Sequence, residues 1–122
     1  MNNKFKDRSR ILYIDDDDTQ LMLAKTVLSD CAVARTTRSL EEYFILLREW
    51  DFDLIITDIV MPDMNGIALA KRTKNFCPHV PIIAVTGYRN IIKTMVEDED
   101  RAIFLDIIEK PNPWAALKER WL

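Results

Sequence analysis

Long apolar runs are missing from this chain. The hydrophobic stretches reach only four or five residues, too short for a membrane span or for the core of a signal peptide. A basic excess is also missing: 17 Lys and Arg stand against 20 Asp and Glu, giving a net charge of −3 and a pI near 5.2. That balance argues against nucleic acid as a direct ligand. Cysteine is scarce. Cys31 and Cys77 lie far apart, with no CxxC spacing and only His79 as a further soft ligand, so no zinc set can be assembled. Two buried, reduced thiols and an exposed His79 are expected, in a soluble cytoplasmic protein. Repeats, low-complexity tracts and linkers are absent too. With 122 residues, 48% of them hydrophobic and 30% charged, the chain suits one domain with its own core. Residues 1–9 are expected to form a polar extension and 10–122 the domain.

Short β-branched runs are present, each followed by a segment of helical period. "ILYI" (11–14), "DLIIT" (53–57) and "PIIAVT" (81–86) are the clearest, and "CAVAR" (31–35) and "DIIEK" (106–110) are weaker. Unbroken apolarity without alternation marks strands covered on both faces, as in a parallel sheet between helix layers. Helices are expected over 19–29, 39–49, 66–75, about 89–97, and from Asn112 or Pro113 to the end. Ser39 and Glu42 have capping-box spacing, Asn65 and Gly66 close the loop before the third helix, and Asn112 can cap the last. This alternation implies right-handed βαβ crossovers and a doubly wound α/β fold. Such folds bind ligands at the carboxyl ends of their strands.

Those ends carry a distinctive set. Four acids, Asp15 to Asp18, follow the first strand. Asp58 follows the third, Thr86 closes the fourth, and Lys110 lies near the end of the fifth. Carboxylates 4 Å apart repel by about 1 to 4 kcal/mol per pair, so the cluster needs a cation or a raised pKa. Magnesium favours one or two carboxylates, waters and a phosphoryl oxygen, which points to phosphate chemistry. In that chemistry an aspartate is the nucleophile, the ion and Lys110 neutralise charge, and Thr86 donates a hydrogen bond.

The motifs "ILYIDDDDTQL", "DLIITDIVMPDMNG", "PIIAVTG" and "EKP", in this order, resemble the receiver domain of two-component response regulators. The resemblance covers about residues 10 to 121. It implies a flavodoxin-like sheet of five parallel strands in the order 2-1-3-4-5, flanked by five helices. By similarity, Asp58 is the phosphoacceptor, and Mg²⁺ is held by Asp15, Asp16, Asp58 and the backbone carbonyl of Val60. Thr86 is the switch hydroxyl and Lys110 the phosphate contact. Asp17 and Asp18 lead into the first helix, where the dipole favours acids. The implied partner is a sensor histidine kinase or phosphotransfer protein docking near the first helix. The resemblance further implies a signalling phosphoacceptor that catalyses its own phosphorylation and dephosphorylation, rather than a metabolic enzyme. In a longer chain two copies would pair through the fourth helix, fifth strand and fifth helix. The Lys110–Pro111 bond is expected to be cis.

The sequence departs from that family at several points. The aromatic residue usual three positions before the lysine is Ile107, which cannot perform an aromatic flip. "EDEDRAIF" replaces a common Gly-Ala turn and is expected to be a solvated loop. Gly87 leaves room beside Thr86. Two other readings are open: "DDDDT" also fits the start of haloacid-dehalogenase-like phosphatases, with Asp15 as nucleophile, and the same fold serves as a phosphorylation-independent interaction module. The first lacks its context, since Glu119 is the only acid beyond Lys110. Neither Val60 nor Tyr88, the positions that tune lifetime in this family, can orient a water. The phosphorylated protein is therefore expected to lose its phosphate slowly, and loss within seconds without a phosphatase would overturn this.

Overall fold

The computed structural model describes residues 8–62, 64–87 and 98–122. The elements run β1 (Ser9–Ile14), α1 (Asp18–Leu28), β2 (Ala32–Thr37), α2 (Leu40–Glu49), β3 (Leu54–Asp58), α3 (Gly66–Phe76), β4 (Ile82–Thr86), a single helical turn α4 (Asp98–Arg101), β5 (Asp106–Glu109) and α5 (Pro113–Trp121). All strand pairs are parallel, and the order is β2-β1-β3-β4-β5. The helix expected over about 89–97 and Tyr88 lie outside the described residues.

Alternation along each strand splits the core in two. Leu12, Ile14, Ile55, Ile82 and Ala84 face one layer with Tyr43 and Leu47 of α2 and Leu69 and Ala70 of α3. Ile11, Tyr13, Leu54, Ile56, Ile83, Val85 and Ile108 face the other, with Leu21, Ala24 and Leu28 of α1 and Trp114 and Leu117 of α5. Period-2 side chains buried on both sides explain why these strands read as unbroken apolar runs.

The helix starts follow local chemistry, with three departures from expectation. Asp17, Ser39 and Asn65 each occupy an N-cap and accept from the backbone N–H of Thr19, Glu42 and Ile67 respectively. Only half of the capping box forms, because the Ser39 N–H donates to Thr37 Oγ1 instead. Asn112 stands at the cap position of α5 without a side-chain capping bond, while Pro113 takes the first turn as expected. The acidic stretch before β5 is not simply a solvated loop. Residues 98–101 form the turn α4, and Asp100 pairs with Lys71 of α3 at 2.9 Å. Cys31 and Cys77 are not disulfide-bonded, and both are half-buried rather than buried, whereas His79 is exposed.

Gly66 is fixed by crowding. A Cβ there would lie 2.0 Å from the Asp58 carbonyl oxygen and 2.8 Å from Ile59 Cα, and its N–H already donates to the Ile59 carbonyl at 2.7 Å. α3 can therefore begin against the backbone that follows Asp58 only if this residue lacks a side chain. Gly87 differs, since a Cβ would meet nothing nearer than Lys110 Cδ at 3.9 Å, an ordinary contact. Gly66→Ala is expected to destabilise by about 1–3 kcal/mol and Gly87→Ala by less than about 0.5 kcal/mol. Urea unfolding midpoints of the two variants check this, and equal midpoints would refute it.

Candidate functional site

Parallel register places the acids together. Ile14 pairs with Thr57, so the next residues, Asp15 and Asp58, leave adjacent strands side by side, at a strand spacing of about 4.8 Å. Asp58 in turn pairs with Val85, and Thr86 with Glu109, which brings Thr86 and Lys110 to the same edge. The predicted residues thus meet at one carboxyl end of the sheet.

The four consecutive acids separate by function. Asp15 is fully buried, with Oδ1 accepting from the Asp17 N–H at 3.0 Å and Oδ2 from the Tyr13 hydroxyl. Asp16 is exposed beside it, and Asp17 caps α1. Asp18 pairs with Arg38 at 2.9 Å in solvent, an arrangement worth little to stability.

Lys110 joins the two buried acids. Its Nζ lies 2.9 Å from Asp15 Oδ2 and 3.3 Å from Asp58 Oδ2. Its backbone N–H donates to the Thr86 carbonyl at 2.8 Å, and the Lys110–Pro111 peptide is cis. Thr86 itself is fully buried at the end of β4. Asp15, Asp16 and Asp58 each offer a carboxylate oxygen, all within 4.8 Å of one another. Three hard oxygen donors with this spacing suit a small divalent cation.

Burial and charge drive the carboxyls apart in pKa. Burial pushes Asp58 up to about 6, reinforced by the Asp15 charge and opposed by Lys110. Burial also raises Asp15, but hydrogen bonds from Tyr13 and Lys110 and the lysine's charge outweigh it and hold Asp15 below the ordinary carboxylate range. Asp16 is raised by desolvation and by its neighbour Asp15. Burial lowers Lys110, yet Asp15 and Asp58 together bring it above its usual value. Burial first, then the Asp15 charge, raise Tyr13, which keeps its hydroxyl protonated and donating.

The loop from Ile59 to Gly66 is pinned to this edge. Ile59 continues the ladder by donating to the Val85 carbonyl at 3.2 Å, and Val60 forms an antiparallel bridge with Asn65. Ile107, opposite Ala84 in β5, is half-buried against the α2/α3 side of the core. Reading site residues from strand ends alone missed Tyr13. Tyr13 was detectable in principle, since residues two apart on a strand share a face and Tyr13 precedes Asp15 by two.

The geometry agrees with what the chain is similar to. A family model described as the response regulator receiver domain matches residues 11–121. The chemotaxis protein CheY-3 of Vibrio cholerae is 30% identical over 115 residues, covering 91% of this chain and 87% of that protein. The transcription factor SKN7 of Chaetomium thermophilum is 36% identical over 91 residues, but this chain spans only 12% of its length. Among solved structures, the Thermotoga maritima response regulator TrrA, in complex with Mg²⁺-BeF, aligns with a TM-score of 0.78 at 26% identity, over 92% of this chain and 95% of that one. Strand order, strand-end acids and a family match along nearly the whole chain converge: the chain belongs to the response regulator receiver domains, the phosphoacceptor modules of two-component signalling.

Proposed function

We propose that Asp58 is the residue that accepts the phosphoryl group, from a sensor histidine kinase or phosphotransfer protein in the cytoplasm, with Mg²⁺ as cofactor. The observation that carries this reading is the meeting of Asp15, Asp16 and Asp58 oxygens within 4.8 Å, with Lys110 Nζ contacting two of the three acids. The three carboxylates and the Val60 carbonyl would hold the ion. When bound, it neutralises the acids and the phosphoryl oxygens. The Thermotoga relative bound to Mg²⁺-BeF supports this choice of metal and ligand.

The residues divide the labour. A carboxylate oxygen of Asp58 attacks phosphorus as the P–N bond of the donor phosphohistidine breaks; the electron pair stays on the imidazole, which then takes a proton from solvent. Asp15, held ionised by Tyr13 and Lys110, keeps its charge at the ion while Asp58 is free to react. Lys110 exchanges its contact with Asp58 for one with the new phosphoryl oxygens, and the Thr86 hydroxyl donates to the same group. The haloacid-dehalogenase alternative is not favoured, because the family model that matches residues 11–121 is the response regulator receiver domain. By family likeness, two copies of a longer chain would pair through the fourth-helix segment, β5 and α5, with no direct contact to nucleic acid or membrane. Among the described residues no helix is long and apolar enough to cross one.

Incubation with a small phosphodonor and Mg²⁺ is expected to add one phosphoryl group, located on Asp58 by mass. Asp58→Asn abolishes the label; labelling that survives Asp58→Asn but not Asp15→Asn would transfer the nucleophile to Asp15.

A stability measurement tests the charge crowding separately. Because the folded-state pKa of Asp58 is raised to about 6, its ionised form is costly in the folded, metal-free protein above that pH. The cost shrinks as pH falls from about 6 toward the ordinary value near 3.9 and is gone below it. Asp58→Asn is thus expected to stabilise the metal-free protein at pH 7.5 by about 1–2 kcal/mol, less than the full shift since Lys110 loses one partner. The gain disappears near pH 4, and a pH-independent difference would contradict the assigned cause.

A further inference from the structure

A closed circuit of side chains runs behind the site. Tyr13 donates to Asp15, and its ring meets Trp114 edge-on with centroids 4.8 Å apart and planes at 68°. The Trp114 indole N–H donates to Gln20 Oε1 at 3.1 Å. Gln20 Nε2 donates to the Pro111 carbonyl at 2.9 Å, next to Lys110, whose Nζ returns to Asp15 at 2.9 Å. The circuit joins β1, α1, α5 and the segment after β5.

Two features of it go beyond packing. Gln20 is the one buried polar residue of α1, on a face otherwise made of Leu21, Ala24 and Leu28, where an aliphatic side chain would fill the core equally well. Its amide is oriented from both ends, the oxygen by Trp114 and the nitrogen by Pro111, so it cannot rotate without losing both bonds. The backbone carrying Lys110 is consequently tied on two sides: its N–H to Thr86 at 2.8 Å, and the next carbonyl to Gln20 at 2.9 Å.

We infer that Gln20 and Trp114 are positioning residues for phosphoryl transfer: they clamp the Pro111 carbonyl so that the Lys110 main chain stays fixed while its Nζ moves from the carboxylates to the incoming phosphoryl group. This rests on the phosphoacceptor reading given above. Fixing the main chain confines the lysine's search to its own side-chain torsions, and small misplacements of such a charge are costly in rate.

The test uses the full chain with acetyl phosphate and Mg²⁺. Gln20→Met removes both hydrogen bonds at similar volume, and Trp114→Phe removes only the indole N–H and keeps an aromatic ring against Tyr13. Gln20→Met is expected to be phosphorylated about tenfold more slowly at saturating Mg²⁺, while the half-saturating Mg²⁺ concentration changes by less than about twofold, since no ion ligand is touched. The double variant should be no slower than Gln20→Met alone, because both substitutions break one unit. Hydrogen exchange at the Lys110 amide should quicken in both single variants, with exchange in β1 unchanged. A Gln20→Met rate within about twofold of the parent, or rate losses that simply multiply in the double variant, overturns the inference. If Gln20→Met does not fold, Trp114→Phe carries the same test with a smaller loss. A parent protein that never gains a phosphoryl group defeats the phosphoacceptor reading instead, and Lys110 amide exchange still decides the clamp.

Discussion

Two buried carboxylates at the ends of neighbouring parallel strands, with one lysine between them, set the terms for the rest of this molecule. Parallel register forces Asp15 and Asp58 together, and burial strips them of the water that would screen their repulsion. Lys110 relieves part of that cost by contacting both. Tyr13 and the Asp17 N–H relieve more, but only at Asp15. The asymmetry leaves one acid firmly ionised and its neighbour pushed toward protonation, which suits an anchor beside a nucleophile.

The elements around the pair can be understood as means of holding it. Asn65 caps α3, and Gly66 lets that helix start against the Asp58 carbonyl. The Asp17 cap draws the first turn of α1 to the same edge and leaves Asp16 exposed beside Asp15. The Thr86 carbonyl and the Gln20 amide secure the lysine's main chain from opposite sides. Ile107 fills its place in β5 as a half-buried aliphatic residue, so an aromatic flip at that position cannot report the state of Asp58. The circuit through Tyr13, Trp114 and Gln20 instead connects the acids to α1 and α5.

Much of this was legible before any coordinates. The apolar runs named all five strands within two residues at either end, because a strand covered on both faces has no other way to be written. The Ser39 cap was legible because N-cap chemistry is local to three or four residues, whereas Asn112, expected on the same ground, makes no capping bond. Legibility failed where another partner competed. Thr37 took the Ser39 N–H from the capping box, and Lys71 drew Asp100 of the acidic run out of solvent. Strand order came from family likeness, since periodicity records which faces are buried and not which strands are neighbours.

The sequence by itself determined an α/β sheet with acids, a hydroxyl and an amine at its strand ends, since hydrophobic period, capping residues and motif spacing are all properties of nearby residues. Only the tertiary structure decided which of the four consecutive acids is buried, how Asp15 and Asp58 divide one lysine, and that Gln20 and Trp114 stand behind it. These outcomes depend on register between strands and on contacts between residues up to 94 positions apart, and on burial that no local pattern encodes.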